Sequence, residues 1–81
     1  MRLTLLTRAY CHLCDEMRDA VAPLAAAAGA TIEEVDVDGQ PALEARWGEY
    51  VPVLLAGDRE LCRCRLDRAA LEAYLASAAR R

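Results

Sequence analysis

Residues 2–14 read Arg-Leu-Thr-Leu-Leu-Thr-Arg-Ala-Tyr-Cys-His-Leu-Cys, and the fold turns on how this stretch changes character. Residues 2–7 are β-prone and apolar on both faces, which suits a buried strand. Beyond it, Leu13, Met17, Ala20/Val21, Leu24 and Ala28 recur at helical spacing. Cys11-His12-Leu13-Cys14 thus stands where a strand gives way to a helix, and a CxxC there in a small α/β chain is a redox signature. Residues three apart on a first helical turn have Cβ atoms ~5–6 Å apart. A modest adjustment brings such a pair to disulfide geometry. The first thiol also meets unpaired backbone N–H groups and the positive end of the helix dipole. Helix N-termini are among the places where thiolates are stabilised.

Working outward, Gly29 reads as the C-terminal cap of this first helix. Pro23 lies inside the helix and is expected to kink or break it near residues 19–22. Thr31–Val37 alternates as a half-exposed strand with Val35 and Val37 on one face. Asp38-Gly39-Gln40-Pro41 opens a short helix that runs to about Trp47, where Gly48 ends it. Residues 52–56 form a third strand, Gly57-Asp58 a turn, and residues 60–65 a fourth strand pairing back. Asp67 caps a last helix whose Ala70, Leu71, Tyr74, Leu75 and Ala78 face the core. The order is β-α-β-α-β-β-α, an α/β chain with a four-stranded mixed sheet flanked by helices.

Composition narrows the function. The chain has 81 residues and is read as a single domain spanning 1–81, with 56% apolar residues to build a core. The net charge of −3 lacks the basic excess of a nucleic-acid binder, so no nucleic-acid partner is expected. No apolar run approaches the roughly 18 residues of a membrane span, so no membrane partner is expected either. The first residues do not read as a secretory signal. Four cysteines then point to a cytoplasmic dithiol or metal role rather than to an extracellular disulfide framework.

With this order in hand, the chain resembles a glutaredoxin-like protein of the thioredoxin superfamily over nearly its whole length. The resemblance rests on CxxC after the first strand and on Val51-Pro52 opening the third. In that superfamily the proline follows a cis peptide bond and packs against the dithiol. The resemblance implies that Val51 offers its backbone N–H and C=O to an extended substrate, as an added strand would. It also implies that Arg8 stabilises the Cys11 thiolate or binds a glutathione carboxylate. Three departures stand out. His12-Leu13 replaces the family's Pro-Tyr, Tyr50 replaces the Thr before Val-Pro, and Cys62-Arg63-Cys64 lies where Gly-Gly is common. The last adds Cβ atoms where glutathione would lie, although Arg63 or Arg65 could supply carboxylate contacts.

The leading expectation is an enzyme, a glutaredoxin-type thiol-disulfide oxidoreductase working as a monomer on protein or glutathione disulfides. Cys11 is expected as the nucleophile, being nearer the helix start, and Cys14 as the resolving thiol. No cofactor is required, and glutathione is admitted as co-substrate. Tyr10 and Tyr50 flank the site, and Tyr10 and His12 join Arg8, Val51 and Pro52 as candidate substrate-binding residues. Asp15 and Glu16 read as solvated first-turn carboxylates. Cys62 and Cys64, two apart on a strand, are expected on one face. Three roles stay open for them: small buried hydrophobes, a relay with Cys11–Cys14, or completion of a four-thiolate zinc or iron–sulfur site. A metal-binding protein using Cys11, Cys14, Cys62 and Cys64 is the alternative function.

Overall fold

A computed structural model describes residues 1–79. Its elements are β1 (Arg2–Thr7), α1 (His12–Ala27), β2 (Thr31–Asp36), a 3-10 turn (Val37–Gly39), α2 (Pro41–Trp47), β3 (Val53–Ala56), β4 (Arg59–Arg63) and α3 (Arg68–Ala79). The sheet order is β2-β1-β3-β4, with β1–β2 parallel and the other two pairs antiparallel. This is a thioredoxin-type arrangement, and the expected element order holds.

Alternation along the central strands feeds two cores. Leu3, Leu5 and Leu54 point to one face and meet Met17, Val21 and Ala25 of α1 and Leu71 and Leu75 of α3. Leu6 and Val53 point to the other face and meet Val37 and Trp47. Leu3, Leu5, Leu54 and Leu71 are fully buried, so truncating any of them to Ala costs about 2–5 kcal/mol.

Several local expectations need correction. Pro23 does not break α1, which runs unbroken from His12 to Ala27. The proline lies on the exposed side, between buried Val21 and Ala25, which tie both flanking turns to the sheet. The Asp19 carbonyl that loses its donor lies on an exposed residue, within reach of water. The buried row of α1 is Cys14, Met17, Val21 and Ala25. Leu13 is therefore off the stripe and exposed. Gly29, at φ 73°, ends α1 as expected: its N–H reaches the Ala26 carbonyl and that of Ala30 reaches Ala25.

Val37 is buried in the second core, but it lies in the 3-10 turn rather than on β2. The fourth strand starts at Arg59 and ends at Arg63, short of the expected Arg65. A register shift explains its inner geometry. Leu54 pairs with Cys62 and Leu55 with Glu60, leaving Leu61 as an extra residue. Leu61 and Cys62 therefore both enter the first core, while Glu60 and Arg63 share the opposite face. Asp67 caps α3, its Oδ1 accepting from the Ala70 N–H at 3.0 Å.

Candidate active site

β1 ends at Thr7, and three residues carry the chain to the start of α1. Tyr10 makes the turn in the left-handed region, at φ 58°, with its side chain wholly exposed. A tyrosine in that conformation is uncommon and marks a tightly specified corner. Cys11 then takes the N-cap position at φ −102°, ψ 105°. Its carbonyl accepts from the Asp15 N–H at 3.2 Å and its sulfur accepts from the Cys14 N–H at 3.1 Å. Cys11 and Cys14 are joined as a disulfide with Cα atoms 5.2 Å apart.

Burial distinguishes the two sulfurs. Cys14 is 2% exposed, whereas Cys11 is only half-buried, with exposed Tyr10, His12 and Leu13 around it. A partner molecule can reach Cys11 but not Cys14. Asp15 is paired with Arg18 at 3.1 Å, a solvated first-turn carboxylate as expected.

The Val51–Pro52 peptide bond is cis. The pairing of Leu6 with Val53 carries Pro52 to the level of Thr7, at the end of β1 from which the CxxC segment departs. Pro52 is fully buried. Its carbonyl accepts from the Cys64 N–H at 2.8 Å. Among the described residues, neither the N–H nor the C=O of Val51 has a backbone hydrogen-bond partner.

Arg8 is engaged by residues far along the chain. Its Nη2 donates to Asp38 Oδ1 at 2.6 Å, its Nε to Asp38 Oδ2 at 3.4 Å, and its Nη1 to the Gly48 carbonyl at 3.0 Å. The Arg8 guanidinium holds the Asp38 carboxyl below its ordinary range by hydrogen bonding. The contacts tie the exit of β1 to the 3-10 turn and to the end of α2.

The second cysteine pair divides. Cys62 is buried in the first core, and burial pushes its thiol pKa up. Cys64 is exposed beyond the end of β4, in the left-handed region at φ 64°. The Arg65 N–H donates back to the Arg63 carbonyl at 2.6 Å, so Cys64 forms the corner of a three-residue turn. The expectation that both thiols share a face therefore fails, because the strand ends between them. Among the described residues no three His, Cys, Asp or Glu side chains are placed to hold a metal ion. Cys64 lines, with Leu13, Glu16, Met17, Ala20, Arg65 and Leu66, a groove of about 290 Å³ beside the CxxC helix.

One residue that sequence reading undervalued is Arg63. Rather than offering a free carboxylate contact, it donates to both oxygens of Glu60, at 2.6 and 2.7 Å. Those hydrogen bonds hold the Glu60 carboxyl below its ordinary range. Its guanidinium carbon lies 4.4 Å from the centre of the Tyr50 ring and 5.7 Å from that of Trp47. The available signal was a Glu and an Arg three apart, but only the extra residue at Leu61 puts the charges on one face, and Trp47 and Tyr50 lie well upstream.

Comparison with known proteins agrees with this geometry. Residues 2–76 match the glutaredoxin-like domain (DUF836). An uncharacterized protein of Mycobacterium tuberculosis is 34% identical over 80 residues, covering 93% of this chain and 82% of that protein. The solution NMR structure of protein Ne2328 from Nitrosomonas europaea superposes with a TM-score of 0.82 at 35% identity, covering 90% of this chain and 88% of that one. Thioredoxin 1 from Thermosipho africanus shares the fold, with a TM-score of 0.64 at 22% identity over 96% of this chain and 98% of that one.

Proposed function

This chain belongs to the glutaredoxin-like domain family, and from that premise we propose that it is a thiol-disulfide oxidoreductase with Cys11 as nucleophile and Cys14 as resolving thiol. The observation that carries the proposal is the asymmetry of the pair: a reachable Cys11 at the helix start, bonded to a Cys14 that solvent does not reach.

In the reduced protein the Cys11 thiolate attacks one sulfur of a substrate disulfide. The substrate S–S bond breaks, a Cys11–substrate disulfide forms, and the leaving thiolate takes a proton from solvent. The Cys14 thiol gives up its proton and attacks the Cys11 sulfur. The second substrate thiolate leaves and the Cys11–Cys14 disulfide forms. Two electrons have passed from protein to substrate. A small thiol such as glutathione returns them, by two successive attacks that end in glutathione disulfide.

The N–H and C=O of Val51, without backbone partners among the described residues, suit an extended substrate segment laid beside the cis-proline loop. Protein or glutathione disulfides are the proposed substrates, in a reducing compartment such as the cytoplasm. The test is steady-state reduction of a protein disulfide, with glutathione as reductant, by the wild type, Cys11→Ser and Cys14→Ser. Cys11→Ser is expected to abolish turnover, and Cys14→Ser to retain activity only on glutathione mixed disulfides. Equal rates for Cys11→Ser and the wild type refute the proposal.

A further inference from the structure

The segment before the cis-proline is short and poorly fastened by its own residues. Among the described residues, the backbone hydrogen bonds donated from Gly48 to Val51 are Gly48 N–H to the Glu44 carbonyl and Tyr50 N–H to the Trp47 carbonyl, both at 2.8 Å. Tyr50 itself is 40% exposed, so core packing does not fix it. Its ring and its carbonyl are held from the end of β4. The Arg63 guanidinium lies over the Tyr50 ring, and the Cys64 thiol donates to the Tyr50 carbonyl at 3.6 Å.

The arrangement is built in steps. The extra residue at Leu61 turns Glu60 onto the same face as Arg63. Glu60 then takes the guanidinium in a two-point grip, which fixes its plane. A plane so fixed can meet two rings at once, Tyr50 in the loop and Trp47 at the end of α2. Trp47 is 8% exposed and seated in the second core, so the clamp is referred to the rigid part of the molecule. Arg63 thereby ties the residue before Val51 to the sheet and to α2.

We infer that Arg63, oriented by Glu60, is a positioning residue that holds Tyr50 and so presents the Val51 backbone to an extended disulfide substrate. It touches neither substrate nor sulfur; it acts through Tyr50. The inference rests on the oxidoreductase reading for what Val51 receives, but not for the clamp itself. A lysine keeps the positive charge yet loses the two-point grip, so Arg63→Lys restores only part of the effect.

The deciding experiment compares full-length wild type, Arg63→Gln, Arg63→Lys and Glu60→Gln by amide hydrogen exchange and by steady-state kinetics. Arg63 is well exposed, so its replacement leaves the fold intact, and exchange at Leu54 serves as the internal reference. Exchange at Tyr50, whose N–H is bonded to the Trp47 carbonyl, is expected to quicken roughly two- to fivefold in Arg63→Gln, the size of one exposed cation–π contact, with Leu54 unchanged. Arg63→Lys and Glu60→Gln fall between. KM for a protein disulfide rises by a similar factor while kcat holds, because substrate capture rather than sulfur chemistry is affected. Unchanged exchange at Tyr50 in Arg63→Gln overturns the inference, as does a loss carried by kcat at constant KM. If no variant, wild type included, reduces a disulfide, the oxidoreductase reading fails, and the exchange comparison alone decides the clamp.

Discussion

The amide of Cys14 donates to the sulfur of Cys11 at 3.1 Å, so the helix that carries the dithiol is capped by the very atom proposed to react. Serine is a preferred N-cap residue, and its oxygen can take over that hydrogen bond. Reduced Cys11→Ser is therefore expected to melt at or above the temperature of the reduced wild type while losing turnover. Thermal unfolding beside the disulfide assay checks the pair of outcomes. A Cys11→Ser variant that melts well below the reduced wild type would show that the sulfur does more than cap.

Cys62 and Cys64 should part company chemically. Under reducing conditions Cys64 is alkylated readily, whereas Cys62 reacts only as the protein unfolds, as peptide mapping after timed iodoacetamide treatment will show. Burial raises the folded-state pKa of Cys62 above its unfolded value. The stability linked to that shift is intact below about pH 8.5, the usual thiol value, and is lost as pH rises through the raised folded value. Urea midpoints of the wild type should thus fall more steeply between pH 8 and pH 10, on the order of the thiol range, than those of Cys62→Ala.

Acid should act through Asp38 and Glu60. Arg8 and Arg63 hold their pKa values below the unfolded ones. Each contribution is present above the unfolded carboxyl values of about 3.9 and 4.3, and is lost as pH falls through the depressed folded values. Both pairs are exposed, so the effect is small and weakens with salt. Asp38→Asn and Glu60→Gln are each expected to flatten the acid limb of a stability profile, measured by denaturant midpoints at low ionic strength.

Gly48 is required for space rather than for a special backbone angle. A Cβ there would lie 2.6 Å from the Glu44 carbonyl oxygen, a backbone atom that cannot step aside. Gly48→Ala should cost about 1–3 kcal/mol, as overpacking does. It should also shift the Gly48 carbonyl that Arg8 holds. A denaturant midpoint equal to that of the wild type would contradict this reading.

The fold was largely legible because its decisive signals are local. The apolar run of β1, the CxxC at the strand-to-helix junction and Pro52 at the head of β3 sit within a few residues of the structure they specify. What stayed hidden depends on partners far along the chain. Arg8 gives no sign in the sequence of its pairing with Asp38, thirty positions on. Cys62-Arg63-Cys64 reads as continuing strand, since nothing in its residue types announces a left-handed corner at Cys64. Pro23 reads as a break because its cost is local, while the packing of Val21 and Ala25 that offsets it is tertiary. The clamp on Tyr50 needed the bulge at Leu61, and a register shift leaves no mark in residue type alone.

The most direct test of the central claim is to equilibrate the reduced, metal-free protein in a graded series of glutathione redox buffers and map cysteine pairing by mass spectrometry. The account predicts one reversible Cys11–Cys14 disulfide, with a glutathione adduct trapped on Cys11 when Cys14 is replaced by Ser. Failure of Cys11 and Cys14 to pair, or disulfides formed mainly through Cys62 and Cys64, would contradict it.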